Sequence, residues 1–455
     1  MKKFFRKIIT RILQIESRLV IWKYKPKIIA ITGSVGKTST KDTVYAVLSG
    51  VSYVRKSEKS YNSEIGLPLA ILGVPNGWNN PFIWFSNIFK GLWLILISHK
   101  YPKWLVLEVG VGHPGDMSRT VSKLKTDVVI ITAIGETPAH IEFFSSRKNL
   151  IEEKSKLIKT LKQDGILILN ADDEDVLQMK VGSKHRTIIY GFKEGADVLG
   201  SSENIFYDDK ENSLGHSPTG EPKGVIFRVD EGGDSLPVVI EGVFGRNHVY
   251  ASLASLALVL GLKFNIINAI DALKNYDASP GRMRLLEGIN NSLIIDDTYN
   301  SSPTAGESAL KTLAEIKTQG RKIAILADML ELGRHTDEAH KNIGKIAGKI
   351  LKENGGVLIV VGLRAKLIKE GAISEEMNKE NIFEFLNSNE TSSFIKTFIQ
   401  KGPPAQGGGG RAGDLVLVKG SQGMRMERVV EAILLDIKNK DKLLVRQDEE
   451  WLKKK

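Results

Sequence analysis

Cysteine occurs nowhere in the 455 residues, which excludes disulfides and thiolate metal sites and fits a cytoplasmic location. Also missing is any run of about 18 uncharged apolar residues, the least that crosses a bilayer as a helix. Acid is scarce at one end. Residues 1–27 hold nine Lys/Arg against the single carboxylate Glu16. That arm carries +8 of the formal +11, leaving +3 for the other 428 residues. The basicity therefore belongs to an arm and does not indicate a nucleic-acid-binding body. A secretory leader does not fit the arm, because Arg11, Glu16 and Arg18 interrupt its apolar residues and no small-residue cleavage site follows. What is present is a globular composition, 42% hydrophobic and 26% charged, with length for about two to four domains.

The chain is organised around Ala30-Ile31-Thr32-Gly33-Ser34-Val35-Gly36-Lys37-Thr38-Ser39-Thr40-Lys41. The apolar run Lys27–Ile31 before it reads as a buried strand, and Asp42–Leu48 after it reads as a helix. Strand, Gly-rich turn, Lys-Thr and helix form the layout of a phosphate-binding loop. Its small residues let backbone N–H groups close around phosphate oxygens, and the helix N-terminus adds a favourable dipole. Gly33, Ser34, Val35, Gly36, Lys37, Thr38 and Ser39 are the nucleotide-holding candidates. Lys37 supplies charge to the β/γ-phosphates, and the Thr38 hydroxyl reaches Mg²⁺. Ile31 stands where the general G-x-x-x-x-G-K-[ST] pattern has its first Gly, so the shorter G-x-x-G-K-T-S form is met.

Upstream, Phe4, Phe5, Ile8, Ile12, Ile15, Leu19 and Trp22 recur at helical spacing with basic residues between them. This predicts a basic amphipathic helix. It either lies on an anionic membrane surface or packs on the protein's own body. Residues 82–97 are strongly apolar and aromatic yet too short to span a bilayer comfortably. A buried helix is expected there, with interfacial membrane contact as the alternative. Lys103–Glu108, Asp127–Thr132 and Gly165–Asn170 read as further buried strands, giving a βαβ alternation and a mostly parallel sheet. Ligands in such sheets bind beyond the strand carboxyl ends, where Glu108 and the loop both fall. Residues 180–242, with short strands at Arg186–Gly191, Val225–Val229 and Val238–Ile240, read as an antiparallel annex. The linker Asn275–Arg284 precedes a second alternation: strands Leu293–Ile295, Lys322–Leu326, Gly356–Val361 and Asp414–Val418. Pro403–Gly410 reads as a flexible surface loop, and Lys438–Lys455 as a charged tail, helical or frayed. The expected fold is α/β: a P-loop central domain at 27–280 with a small antiparallel annex, and a smaller Rossmann-like α/β domain at 281–455. The helix at 1–26 precedes both.

Seven segments then match one family together and in its order. They are the Gly33–Lys41 loop, Glu108–Met117 (E-x-G-x-x-H-P-G), Ala139–Glu142, Gly281–Met283, Asp296–Pro303, Asp328–Gly333 (D-M-L-E-L-G) and Lys419–Glu427 (K-G-S-x-G-M-R-M-E). Over residues 27–435 the chain resembles the Mur ligases, and the E-x-G-x-x-H-P-G, D-M-L-E-L-G and K-G-S-x-G-M-R-M-E forms point to the MurF branch. That resemblance implies ATP-dependent amide formation through an acyl phosphate, joining D-alanyl-D-alanine to UDP-N-acetylmuramoyl-tripeptide in peptidoglycan precursor synthesis. It implies a cytoplasmic monomer using ATP and two Mg²⁺, without nucleic acid. Thr38 and Glu108 would ligate one Mg²⁺. By resemblance His140 would ligate the second, supported by a carbamylated lysine at the matching Lys154. Lys37, Lys154 and His140 are then the catalytic candidates. Arg282, Asp297 and Asn300 match positions that meet the nucleotide, and Asn247 falls in a segment that helps hold adenine. Asn62, Lys419, Ser421 and Arg425 are the substrate-side candidates, the last three on a mobile lid whose closure protects an acyl phosphate from water.

Four departures bear on the acceptor. Members of the branch carry an N-terminal domain that grips the UDP end, and here about 26 residues precede the first strand, too few for such a domain. The family's G-x-H-N-x-x-N segment reads Gly245-Arg246-Asn247-His248-Val249-Tyr250-Ala251, with His and Asn in reversed order. Gln422 replaces an Arg. Lys156 replaces an acid near Lys154, and Ala327 a Gly before Asp328. Two alternatives stay open: a Mur-type ligase of another carboxylate and amine, with the architecture of folylpolyglutamate synthetases, and a non-ligase P-loop NTPase at the membrane.

Overall fold

The computed structural model describes residues 2–58, 61–121, 123–135, 141–208, 220–353, 355–402 and 413–453. The expected loop at Pro403–Gly410 and the candidate His140 lie outside these residues.

Nine strands build the first sheet: β1 (Lys27–Thr32), β2 (Val54–Lys56), β3 (Trp104–Glu108), β4 (Thr126–Ile131), β5 (Leu161–Asn170), β6 (Arg186–Gly191), β7 (Val198–Asp208), β8 (Glu221–Glu231) and β9 (Asp234–Glu241). Their order is β2-β3-β1-β4-β5-β6-β7-β8-β9. Pairing is parallel from β2 through β7 and antiparallel from β7 to β9. The central strands read as unbroken Ile/Val/Leu runs because helices cover both their faces. On one face lie α2 (Lys37–Ser49) and α8 (Arg246–Leu262), burying Val44, Val47, Leu48 and Leu253 against the sheet. On the other lie α1 (Lys2–Tyr24), α3 (Gly66–Leu72), α5 (Asp116–Val121) and α6 (Arg147–Ser155), contributing Leu13, Val20, Leu67, Met117 and Leu150. The short α7 (Glu174–Gln178) is capped by Asp173, whose carboxylate also accepts the Ile134 N–H at 2.7 Å.

The expected annex is a continuation of this sheet. β7 was not expected from the sequence, because a register shift between Ser201 and Asn204, with Ser202 at φ 51°, breaks its period of two. The second sheet comprises β10 (Arg284–Glu287), β11 (Leu293–Asp297), β12 (Lys322–Ala327), β13 (Val357–Val361), β14 (Ile382–Phe385) and β15 (Leu415–Lys419). Its order is β10-β11-β15-β12-β13-β14, and only β10 runs antiparallel.

Three outcomes at the periphery qualify the sequence reading. α1 packs on the protein's own body through Leu13 and Val20. Its Lys23 Nζ donates to the carbonyls of Leu94, Ile95 and Ile97 at 2.9–3.0 Å. The apolar stretch expected to be a buried helix forms α4 (Pro81–Leu96), and along it only Asn87 and Gly91 are buried. α1 already occupies that face of the sheet, so α4 is left as an outer layer over α1 and α3. A Cβ at Gly91 would stand 2.2 Å from a Glu16 carboxylate oxygen, so a larger residue would have to displace the Glu16 carboxylate. The tail is ordered as short helical turns at Ile437–Asn439, Lys440–Leu443 and Glu449–Leu452.

Candidate active site

β1 and β3 run side by side with Ile31 opposite Glu108. The turn after β1 and the carboxylate ending β3 therefore emerge together, at the point where strand order reverses about β1. A cleft of about 910 Å³ opens there, lined on one side by Gly33, Ser34, Lys37, Thr38, Glu108 and Lys154. Arg282, Tyr299, Asn300 and the tail residues Arg446 and Trp451 line it from the other side.

At the turn, Gly36 adopts φ 84°, a left-handed conformation that strains any side-chain-bearing residue. α2 begins immediately after it, so its first N–H groups have no partner within the helix. The amides of Ser34 and Val35, by contrast, donate to the Ala133 carbonyl at 2.7 and 3.0 Å. Ser39 is buried beneath the turn. Lys37 Nζ folds back onto the carbonyls of Gly33 and Ser34 at 3.0 and 3.1 Å. Burial pulls Lys37 below the usual lysine range, with Glu108 opposing that shift.

Glu108 is 1% exposed and fully engaged. One oxygen accepts the Thr38 hydroxyl at 3.0 Å and the other accepts Asn62 Nδ2 at 3.1 Å. Its N–H donates to Ser57 Oγ at 3.3 Å. Arg282 Nη2 donates to Thr38 Oγ1 at 3.2 Å, and its guanidinium lies 3.8 Å from the centre of the Tyr299 ring. Lys154, on α6, is 3% exposed and donates to the Gly33 carbonyl at 2.8 Å. Two lysines thus converge on one oxygen. Burial first, then the Lys37 charge, drive the Lys154 amine well below the lysine range.

The carboxylate of Glu108 and the hydroxyl of Thr38 make a hard-oxygen pair that fits Mg²⁺, which keeps water and phosphate oxygens as its other ligands. No cluster of three or more His, Asp or Glu exists among the described residues to make a closed protein cage. Lys154 as an ammonium is a donor only and cannot ligate a cation, whereas a carbamate formed on its neutral amine would offer Mg²⁺ a hard anionic oxygen.

The remaining candidates separate by position. Asn62 and Asn300 line the cleft. Asp297 is the ion-pair partner of Lys419, which also donates to the Asn300 carbonyl at 3.1 Å. Ser421 accepts the Leu330 N–H at 2.9 Å, holding the Asp328–Leu332 segment. Arg425 pairs with Glu427 and donates to the Trp451 carbonyl at 2.9 Å. Lys419, Ser421 and Arg425 therefore sit in the framework behind the cleft wall, whereas Gln422 lines the cleft itself. Asn247 is half-buried in the first turn of α8, outside the cleft lining. Its neighbour His248, given no role from the sequence, is buried. It bonds the Tyr276 hydroxyl through Nδ1 at 2.9 Å and the Arg282 carbonyl through Nε2 at 2.8 Å. Arg446 is a second omission: it pairs with Glu427 at 2.8 Å and donates to the Thr298 carbonyl at 3.0 Å. No motif marked Arg446, and His248 stood in the family's G-x-H-N-x-x-N segment only as a departure from it.

Comparison with known families matches residues 31–259 to the Mur ligase middle domain and residues 281–422 to the Mur ligase glutamate ligase domain. The chain belongs to the Mur ligase family. It is accordingly an ATP-dependent acid–amino-acid ligase. The UDP-N-acetylmuramoyl-tripeptide–D-alanyl-D-alanine ligase of Bacillus subtilis is 27% identical over 412 residues, covering 90% of this chain and 76% of that one. The fold is that of Acinetobacter baumannii MurF (TM-score 0.72, 23% identity, 92% of this chain and 79% of that chain). It is likewise that of Thermotoga maritima MurF solved with ADP (TM-score 0.71, 24% identity, 93% and 83%). For this Mur ligase, the phosphate loop and Glu108 lie within the matched middle domain, and Arg282, Asn300 and Lys419 within the matched second domain.

Proposed function

We propose that this Mur ligase joins D-alanyl-D-alanine to UDP-N-acetylmuramoyl-tripeptide, acting as a monomer in peptidoglycan precursor synthesis. The observation that carries the chemistry is the convergence of half-buried Lys37 with the buried Thr38, Glu108 and Lys154 at the ends of β1 and β3. The relationship to the Bacillus subtilis enzyme over 90% of the chain supports the choice of substrates.

In the first step a carboxylate oxygen of the peptide attacks the γ-phosphorus of ATP. The bond from that phosphorus to the β,γ-bridging oxygen breaks, leaving ADP and an acyl phosphate. In the second step the amine nitrogen attacks the acyl carbon, the carbon–oxygen bond to phosphate breaks, and the amine loses a proton. Negative charge gathers on oxygens in both steps, so the site needs cations and oriented N–H groups more than a covalent nucleophile. Lys37 and the first amides of α2 hold the phosphates, and Arg282 and Asn300 approach them from the second domain. Thr38 and Glu108 would hold Mg²⁺, and His140 with a carbamylated Lys154 a second, each supplying charge neutralisation at the γ-phosphate. Asn62 fixes the Glu108 carboxylate. Asp297 anchors Lys419 behind the nucleotide side, Asn247 supports that side from the first turn of α8, and Lys419, Ser421 and Arg425 stiffen the lid near the acceptor. Residues 27–280 and 281–455 form the two working domains, and 1–26 the appended helix.

The test is ADP release from purified protein with ATP, Mg²⁺, D-Ala-D-Ala and UDP-MurNAc-tripeptide, each omitted in turn. Release should need both co-substrates. Release that ignores them would refute the ligase, and release with a different acid and amine alone would refute the acceptor.

A further inference from the structure

α4 leaves Phe82, Phe85, Phe89, Leu92, Trp93 and Leu96 on one helical stripe facing solvent. Phe82 and Leu96 are 82% and 79% exposed. Beside it, α1 exposes Ile8, Ile15, Leu19 and Trp22, interleaved with exposed Arg11 and Arg18. The two helices run in the same direction, since Glu16 meets Gly91 and Lys23 reaches Leu94–Ile97. An apolar surface of this extent is not left in water without a use.

Charge says what covers it. From Ile65 to Leu107 there is no Asp or Glu, but there are Lys90, Lys100 and Lys103. In residues 1–41 the one carboxylate is Glu16, which is only 3% exposed between the helices. These segments therefore present cations and no exposed carboxylate of their own, the bordering Glu64 being held by Gln14 of α1 at 3.2 Å. At the end where α1 and α4 converge, Lys25, Lys27 and Lys103 rim a small hollow with Tyr24, Tyr101 and Trp104. Aromatic and aliphatic side chains flanked by Arg and Lys, whose stems can lie in the apolar layer while their charges meet phosphates, suit the headgroup region of an anionic bilayer. α4 spans about 24 Å and no described helix is long and apolar enough to cross a membrane, so the helices would lie on the surface.

We propose that the α1–α4 face docks this ligase onto an anionic lipid bilayer. The turn feeding α4 carries Asn76 and Trp78, which line the catalytic cleft, so docking holds one mouth of the cleft beside the lipid surface. The proposal is independent of the acceptor's identity, because its readout is vesicle binding.

The full chain is floated with vesicles of 30% phosphatidylglycerol in phosphatidylcholine and with pure phosphatidylcholine vesicles, at low and high salt. The same is done for the Phe85→Ser/Phe89→Ser/Leu96→Ser variant. Light scattering without lipid gives the mass, and thermal melting shows that the variant folds. Wild type should bind the anionic vesicles at least tenfold more tightly than the neutral ones, weakening with salt, and the variant should lose at least tenfold. Absence of binding, equal binding to both vesicles, or equal binding by a folded variant overturns the proposal. A wild-type dimer that the variant converts to monomer assigns the face to a second copy and overturns it too. If the triple variant melts early, Lys25→Glu/Lys103→Glu replaces it under the same criteria.

Discussion

Lys154 and Lys37 both donate to the Gly33 carbonyl, an arrangement that two full charges in a buried site resist. Burial and the neighbouring Lys37 charge resolve the conflict by making Lys154 a free amine far more readily than an exposed lysine. A neutral amine is the form that adds carbon dioxide, giving the carbamate anion that the proposed mechanism asks for. Activity should fall in carbon-dioxide-free buffer and return when bicarbonate is added. Lys154→Arg, which keeps a cation and cannot be carbamylated, should lose activity by on the order of 100-fold. Full activity in Lys154→Arg, indifferent to bicarbonate, would show that Lys154 is a structural amine. The loop and Glu108 were legible as candidates, because a short Gly-rich motif and a strand-end carboxylate mark chemistry locally, whereas Lys154 was named only through the family resemblance. That Lys419, Ser421 and Arg425 stand behind the cleft wall was not legible, since a motif names residues without saying which way they face.

At the scale of elements, α8 is tied to the linker before β10 by His248, whose ring bridges Tyr276 and the Arg282 carbonyl. The carbonyl can only accept, so Nε2–H donates to it, and in the neutral ring Nδ1 accepts from the phenol. Burial pushes the His248 pKa down to about 4 from 6.5. The unfolded chain therefore binds this proton more readily than the folded one. The contribution is intact above pH 6.5 and is lost as pH falls toward 4, at about 1.4 kcal/mol per pH unit. Urea titrations at pH 7 and pH 5 should show a steeper loss for wild type than for His248→Gln, which is less stable at pH 7 but cannot titrate. Parallel losses would remove His248 from the acid response. The same scale shows why the helix of α4 was expected from the sequence but its exposure was not the favoured reading. Its apolar residues occupy nearly every position, so periodicity gives no polar face to mark. Burial was then decided by α1, which took the sheet face first.

At the scale of the molecule, the tail becomes part of the cleft. Arg446 and Arg425 share the buried carboxylate of Glu427, and Arg446 also reaches the carbonyls of Thr298 and Tyr299. Residues 441–451 are thereby held against the loop that follows β11. Arg446→Met removes one partner from a buried carboxylate and should cost about 3 kcal/mol in chemical denaturation. It should also open the tail to limited proteolysis near Arg446, and a variant as stable and as resistant as wild type would contradict the arrangement. A charged tail reads as solvated from sequence alone, because charge pattern does not disclose that two of its partners lie at Thr298 and Glu427.

What the sequence determined by itself is therefore the local chemistry. Gly36 is needed for a left-handed turn, Lys37 and Thr38 for phosphate and metal, and Ile/Val/Leu runs for strands buried on both faces. These follow from constraints that act within a few residues. Only the tertiary structure decided which helix covers the sheet and which is left with its aromatic face outward. Only it showed that Glu16 is enclosed, that His248 locks the linker and that the tail closes the cleft. Each of those depends on competition for the same buried surface between segments distant in the chain, and no local pattern records the outcome of that competition.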